Sequence, residues 1–221
     1  RKRVDAVIAV TIALSPHEVQ MLQALGKPLA GIGGLIPGIP SLSIDDIETA
    51  RLATEHLISL GHRRIMHVGG DQSEQMDFRV HSARYDGFKR AVADAGLDLE
   101  DDFREAEFSV PGGYQVGLSL LGDPRTRPTA IFAANDRSAL PVLEVAAEFG
   151  IRVPHDLSVI GYDDSRLAVG PHAQMSTISQ NAAEMAEGAV SGALDLLAGG
   201  APQDQVLKPT LVRRATTAPA P

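Results

Sequence analysis

The sequence contains no cysteine and no tryptophan among its 221 residues. Without cysteine the chain has no disulfides, no thiolate metal sites and no cysteine nucleophile, and it is compatible with a cytosolic location. No apolar run approaches the roughly 20 residues that a membrane-spanning helix requires. Acidic residues outnumber lysine and arginine, which gives a formal net charge of −8. This negative net charge argues against a surface that binds nucleic acid, because basic side chains are needed to neutralise phosphates.

Short apolar runs rich in β-branched residues alternate with stretches of helical periodicity along the chain. The first run, Val4–Leu14, precedes a helix that Ser15 should cap, with Pro16 at its first position and Glu18 at its third. The alternation predicts an α/β fold with parallel, doubly wound sheets and right-handed crossovers. The other predicted strands are 27–33, 63–70, 105–109, 129–136, 157–160, 177–180 and 206–214. The other predicted helices are 44–62, 82–96, 112–122, 137–149 and 182–199, with a loop at 33–43. The helix over 137–149 should tolerate Pro141 only in its first turn.

The stretch VPHDLSVIGYDDS at 153–165 combines a short buried strand with two carboxylates. Gly161 follows the apolar run and allows the backbone to pass close to a neighbouring group. Asp163 and Asp164 come where a parallel strand leaves its sheet, and this carboxyl edge is where open α/β sheets bind ligands. Taken alone, two adjacent aspartates are also common in turns and caps.

Six segments, in the same order and at similar spacing, resemble the effector-binding domain of LacI/GalR-type bacterial transcription regulators. The resemblance extends over essentially the whole chain from Val4 onward, and six segments in register are far more specific than any one of them alone. These segments are HLISLGHRRI (56–65), SARYDGF (82–88), PTAIFAANDRSAL (128–140), VPHDLSVIGYDDS (153–165), MSTISQ (175–180) and LVRRAT (211–216).

The resemblance implies a two-lobed, periplasmic-binding-protein-like fold with three crossings between the lobes and an effector in the cleft between them. It implies an N-terminal lobe of residues 1–44 plus 181–203 and a C-terminal lobe of 45–180 plus 205–214. The tail at 215–221, rich in alanine, proline and threonine, is expected to be frayed. Family members begin with a helix-turn-helix DNA-binding headpiece and a further β-α-β-α unit. Neither matches a stretch of this sequence, so we expect the N-terminal lobe to be incomplete.

By resemblance, Arg84 and Asp163 are the principal ligand-binding residues. Arg84 belongs to an S-x-R-x-x-G-F motif, and its guanidinium can donate two parallel hydrogen bonds to adjacent hydroxyls or to a carboxylate. Without the motif, a surface arginine paired with Asp86 would be the simpler interpretation. Asp163 can accept hydrogen bonds from two neighbouring hydroxyls of a sugar or nucleoside, whereas Asp164 is expected to serve the turn.

Four further residues complete the predicted ligand-binding set. Asn135 and Asp136 end a predicted strand at the ligand-facing edge. For Asp136, ligand contact and capping of the next helix are equally supported interpretations. Phe108 matches the position where relatives place an aromatic ring against the ligand, although it could instead belong to the core. Gln180, at a crossing between the lobes, is a further polar candidate.

The sequence supports neither a metal site nor an enzyme. His56, His62 and His67 fall in a helix, at a helix end and in mid-strand, so a structural role fits them better than a metal cluster. The glycines at 31–34 lack the spacing of a phosphate loop, and there is no G-x-S-x-G motif. An enzyme built on Asp163 is conceivable, but it would need a metal or a raised pKa. We predict no enzymatic activity and no cofactor.

The predicted function is ligand sensing in a cytoplasmic transcription regulator. A small polar effector, a sugar or sugar derivative, should alter how the headpiece binds operator DNA. The resemblance also implies a homodimer formed through the helix after Asn135 and the segment 168–175, with no membrane partner. The alternative is a periplasmic sugar-binding protein of a transport system, which shares the fold, works as a monomer and carries a signal peptide.

Overall fold

The structure, a computed structural model, describes residues 4–10, 14–71, 79–170 and 173–221. Strands and helices alternate along this chain, so the predicted α/β class with parallel sheets is confirmed. Residues 11–13 of the predicted first strand and 171–172 of the predicted dimer segment lie outside the described residues. The strands are β1 (Val7–Val10), β2 (Leu29–Ile32), β3 (Ser41–Ile44), β4 (Ile65–Gly69), β5 (Phe103–Glu105), β6 (Ala130–Ala133), β7 (Ser158–Ile160), β8 (Thr177–Ser179), β9 (Gln205–Leu207) and β10 (Thr210–Val212). The helices are α1 (Pro16–Gln23), α2 (Asp46–Ser59), α3 (Arg79–Asp94), α4 (Val110–Leu121), α5 (Asp136–Glu148) and α6 (Ala182–Leu197).

The chain divides into two compact units. Among the described residues, the first unit contains the chain up to Asp45 together with Asn181–Pro209. Its four-stranded parallel sheet has the order β1-β2-β3-β9. Helix α6 packs closely on this sheet because Gly188 has no side chain: a Cβ there would lie 2.4 Å from Leu42 Cδ2. The predicted capping box of α1 is present, with Ser15 and Glu18 bonded to each other's backbone N–H groups.

The second unit contains most of the rest of the chain and the larger core. Its parallel sheet has the order β5-β4-β6-β7. Every residue of the middle strands β4 and β6 is buried, as expected of a parallel sheet covered on both faces. Helices α4 and α5 pack together over one core, where Leu121, Ile131, Val145 and Val159 are fully buried. Strands β8 and β10 form a separate antiparallel pair beside this sheet.

Two predictions for the first unit are wrong, one near residues 41–44 and one near residues 206–214. Residues 41–43, predicted as loop, and Ile44, predicted to begin a helix, form β3, whose four residues are all buried. The strand is too short to show a period of its own after the glycines and prolines that precede it. The single strand predicted over 206–214 is two strands, because Pro209 lies between them and has no N–H for a ladder. Strand β9 pairs with β3 in the first unit and β10 with β8 in the second, so residues 205–209 do not belong with 210–214.

The tail predicted to fray is hydrogen-bonded to the second unit. Thr216 is 4% exposed, and its hydroxyl donates to the Val159 carbonyl at 2.6 Å. The Ala218 carbonyl lies 3.0 Å from Nε2 of His62, and the Ala220 N–H donates to the Leu60 carbonyl at 2.9 Å. These bonds involve backbone and hydroxyl groups, which leave no apolar pattern in the sequence.

Two local predictions in the second unit also need correction. The strand predicted over 105–109 ends at Glu105, and the next residues turn, with Phe108 at φ +50°. Helix α5 continues through Pro141, which lies beyond the first turn rather than within it. The ring finds room beside α4 because Gly113 has no side chain: a Cβ there would lie 2.7 Å from Pro141 Cγ.

The three histidines considered as metal ligands occupy different surroundings. His62 bonds the hydroxyls of Thr129 and Ser158, while His56 bonds Thr217. His67 is fully buried among aromatic rings, and burial lowers its pKa to about 3. In the described part of the chain no cluster of three or more histidine or acidic side chains suits a metal ion, and no helix there is long and apolar enough to cross a membrane.

Candidate functional site

The carboxyl ends of β6 and β7 bring several polar residues to one edge of the second unit's sheet. Asn135 and Asp136 follow β6, and Asp163 follows the neighbouring β7. The Asp163 N–H donates to the Ile178 carbonyl at 2.8 Å, which joins this edge to β8. Gln180, just after β8, therefore reaches Asp163 and donates a hydrogen bond to its carboxylate. The edge predicted from the sequence thus gathers four of the six candidate residues.

Arg84 is buried rather than exposed, and helix α3 directs it towards the same edge. Its Nε donates to Asp46 Oδ1 at 2.8 Å, and Nη1 donates to the Ala134 carbonyl at 2.5 Å. The guanidinium carbon lies 3.6 Å from the centre of the Tyr162 ring, which is cation–π geometry. The alternative partner, Asp86, instead pairs with Lys89 one turn along the helix, so the surface interpretation of Arg84 is wrong.

Asp46 and Tyr162 are members of this cluster that the sequence did not reveal. The Tyr162 hydroxyl donates to Asp46 Oδ1 at 2.9 Å, the oxygen that also accepts from Arg84. Tyr162 is fully buried, and the Asp46 side chain is 14% exposed. A buried charge is tolerated only when it is paired and hydrogen-bonded. Asp46 and Tyr162 therefore fix both the charge balance and the position of Arg84.

Asn135 takes the capping role that was one of the two alternatives for Asp136. Asn135 is the N-cap of α5, with its side-chain oxygen accepting from the Ser138 N–H at 2.8 Å. Both carboxylate oxygens of Asp136 accept hydrogen bonds at 2.7 Å, one from the Thr177 hydroxyl and one from the Ser165 N–H. Burial raises the pKa of Asp136, and these two bonds oppose that rise. Asp136 thus anchors the chain after β7, and its predicted capping role is wrong.

Phe108 is half-buried and lies two residues before α4. Its ring stacks on that of His81, with centroids 4.1 Å apart and planes 18° apart. His81 lies one helical turn before Arg84 on α3, so the aromatic pair and the guanidinium share one side of that helix. A functional role for His81 could not be predicted from the sequence, because a histidine at the start of an amphipathic helix is common.

Asp164 serves the turn, as predicted. Its carboxylate accepts from Arg214 Nη2 at 2.6 Å, and its N–H donates to the Thr177 hydroxyl at 3.3 Å. Asp163 beside it has φ +112°, a conformation that is costly for a residue other than glycine and is often found at ligand sites. Asp164 also has a positive φ, +53°, but its carboxylate is committed to an ion pair, whereas the Asp163 carboxylate faces Gln180 at the strand end.

Burial raises the pKa of Asp163 to about 6, with Arg84 opposing the rise and Asp136 adding to it. Because this value exceeds the usual value for aspartate, the folded state binds the proton more tightly than the unfolded chain. The free energy of unfolding should therefore fall as the pH rises from about 4 to 6, and the full cost should be present above pH 6. A charged Asp163 thus destabilises the protein when no ligand is bound.

Replacing Asp163 with asparagine should raise the free energy of unfolding at pH 8 by roughly 2–3 kcal/mol. The gain should shrink towards pH 5, because wild-type Asp163 is then largely protonated. Urea denaturation at both pH values measures the difference. The matched control is Asp164→Asn, which removes the ion pair with Arg214 and should lower stability. An Asp163→Asn protein no more stable than wild type at pH 8 would contradict this account.

Comparisons with known proteins agree with this α/β architecture. A family profile described as the periplasmic binding protein-like domain matches residues 54–217. The chain is 33% identical to the HTH-type transcriptional regulator DegA of Bacillus subtilis (strain 168), over 99% of this chain and 66% of that protein. The chain spans between half and two thirds of the length of the first curated relatives.

Two solved structures are similar over 99% of the chain. A LacI transcriptional regulator from a Rhodococcus species has a TM-score of 0.84 and 40% identity, with 80% of that chain covered. A LacI-family transcriptional regulator from Enterococcus faecium with bound ribose has a TM-score of 0.86 and 27% identity, with 81% covered. The fold is thus that of a periplasmic binding protein-like domain. The chain belongs to the LacI family of transcriptional regulators.

Proposed function

We propose that this chain is the effector-sensing part of a bacterial transcription regulator. The effector is a small polar molecule, a sugar or sugar derivative, bound at the carboxyl edge of the second unit's sheet. The observation that carries the proposal is the meeting of a buried guanidinium, Arg84, with a strained and destabilising carboxylate, Asp163, at that edge. The similar proteins are transcription regulators, so the comparisons do not favour the alternative of a sugar-binding protein for transport.

The chemistry of the cluster suits a polyhydroxylated ligand. Arg84 supplies N–H donors, while Asp163 and Gln180 supply carboxylate and amide groups that can exchange their mutual bond for bonds to hydroxyls. The stacked pair of Phe108 and His81 offers an aromatic face for the C–H face of a sugar ring. Ribose bound to a relative of the same fold supports this class of ligand.

Regulation would involve the two compact units, a dimer and a DNA-binding headpiece. The two compact units would be the two lobes, with chain crossings at 45/46, 180/181 and 209/210. A homodimer formed through α5 and the segment 168–175 would transmit effector binding to a DNA-binding headpiece in the cytoplasm. Effector and operator would be coupled only as far as each prefers one of two conformations.

A thermal-shift screen against sugars, sugar phosphates, polyols and nucleosides tests this function. An effector at about 100 times its dissociation constant should stabilise the protein by about 2.7 kcal/mol. The shift should disappear in Arg84→Lys, because a lysine cannot reproduce the planar donor geometry, and should weaken in Asp163→Asn. Arg125→Ala is the matched control, since its side chain is 88% exposed and pairs with Asp123 on the surface. A ligand whose shift persists in Arg84→Lys, or a complete screen without a ligand, would contradict the proposal.

A further inference from the structure

The charge around Arg84 is more than neutralised by its neighbours. Asp163 interacts electrostatically with Arg84 and with two other carboxylates, Asp46 and Asp136. The nearby Arg214 is already paired with Asp164. Among the described residues, one guanidinium thus stands among three carboxylates, and Asp46 and Asp136 remain beside it when Asp163 carries a proton.

The geometry of Arg84 limits what its guanidinium can still bind. A clamp on a phosphate or carboxylate needs two parallel N–H groups from one edge of the guanidinium. The Nε–H is committed to Asp46 and an Nη1–H to the Ala134 carbonyl. One face is covered by the ring of Tyr162. Nη2 remains the principal donor for a ligand, which suits a single hydroxyl better than a bidentate anion.

We propose that this site selects an uncharged, polyhydroxylated effector and rejects ligands that carry a phosphate or carboxylate, with Asp46 as the residue that determines this specificity. The inference rests on the proposed function, because it assumes that the effector binds at the Arg84–Asp163 edge. Asp46 acts through Arg84 by holding its Nε and cancelling its charge. Tyr162 is a positioning residue, because its hydroxyl fixes the Asp46 oxygen that faces Arg84.

Specificity of this kind arises from repulsion as much as from attraction. An anion entering the edge would meet carboxylates that burial keeps poorly screened. A neutral sugar meets no such repulsion and can donate hydroxyl protons to Asp163. We therefore expect binding of a phosphorylated sugar to be at least about tenfold weaker than that of its neutral parent.

Inorganic phosphate is the first probe, because it tests the site without knowledge of the effector. The Arg84 Nε–H resonance, assigned by its loss in Arg84→Lys, is followed by NMR during a phosphate titration at constant ionic strength. In wild type it should not shift saturably. In Asp46→Asn, which keeps a hydrogen-bonding oxygen but removes the charge, it should. A saturable shift in wild type, or none in folded Asp46→Asn, would overturn the proposal.

Two further variants guard against an effect of altered folding. Tyr162→Phe removes the bond to Asp46 but leaves every charge in place, so it should bind phosphate no better than wild type. Asp163→Asn lowers the local negative charge without exposing Arg84 and should gain phosphate affinity at pH 8 even if Asp46→Asn fails to fold. If Tyr162→Phe bound phosphate as tightly as Asp46→Asn, charge would not determine the specificity of the site. The same conclusion would follow if Asp163→Asn gained no phosphate affinity.

Matched ligand pairs separate this inference from the proposed function. Ribose with ribose 5-phosphate, and glucose with glucose 6-phosphate, can be titrated calorimetrically into wild type and Arg84→Lys. Binding of a neutral member alone supports both proposals. Arg84-dependent binding of a phosphorylated member, as tight as that of its parent or tighter, would overturn the charge selectivity while leaving effector sensing intact. If neither pair binds, the phosphate titration alone decides the selectivity.

Discussion

Replacing Arg84 with leucine should lower the free energy of unfolding by about 3–5 kcal/mol and abolish effector binding. The Asp46 carboxylate, 14% exposed, would keep its bond from the Tyr162 hydroxyl but lose its counter-ion in the protein interior. Removal of one member of a buried pair costs more than the pair contributes, because the remaining charge has lost both water and its counter-ion. Urea denaturation measures the first effect and ligand titration the second.

A double variant separates the two causes. Arg84→Leu combined with Asp46→Asn leaves no unpaired charge, so most of the lost stability should return while effector binding stays absent. If the double variant were as unstable as Arg84→Leu alone, the loss of stability would come from lost packing against Tyr162 and not from the unpaired Asp46 carboxylate. Arg125→Ala again serves as the control for removal of an exposed arginine.

Replacing Gly87 with alanine should destabilise the protein by about 3 kcal/mol, near the upper end for overpacking a core. A Cβ at Gly87 would lie 2.1 Å from the Ile47 carbonyl oxygen and 2.9 Å from Ala50 Cβ. Since the nearest obstacle is backbone of α2, the added methyl group cannot be accommodated by a side-chain rotation, and α3 must move. The displaced helix carries Arg84 one turn away, so effector affinity should fall as well.

Gly192 in α6 is the matched control for this substitution. The nearest atom to a Cβ at Gly192 is 3.9 Å away, which is ordinary contact. Gly192→Ala should therefore stabilise the protein by about 0.5–1 kcal/mol through helix propensity. Urea denaturation of both variants, with circular dichroism of the folded state, measures the difference. If Gly87→Ala behaved like Gly192→Ala, close approach of α2 and α3 would not explain the glycine.

Features encoded by neighbouring residues could be predicted from the sequence. The capping box of Ser15 and Glu18 lies within a single turn, and its residue types suffice to specify it. The carboxylates after β7 were predictable because an apolar β-branched run followed by polar residues defines a strand end in an α/β sheet. Arg84, by contrast, was found through its motif rather than through any physical pattern of its own.

Contacts between distant residues could not be predicted in the same way. Tyr162 and Asp46 are separated by 116 positions, and nothing around either residue indicates that they share a hydrogen bond. The role of Asp136 depends on Thr177 and Ser165, which the chain brings to α5 only after folding. Partners of this kind follow from the fold, so they become visible only when the strand order is known.

The order in which the ribosome releases the chain follows from the pairing of β3 with β9. Strand β3 leaves the ribosome well before its edge partner at 205–207, which emerges only after the sequence of nearly the entire second unit. Until then, one edge of β3 carries unpaired backbone groups, which can pair with another nascent chain. The second unit has its whole four-stranded sheet once β7 has emerged. During synthesis, the four-stranded sheet of the first unit is therefore completed only after that of the second unit, and the open edge of β3 needs protection until β9 emerges.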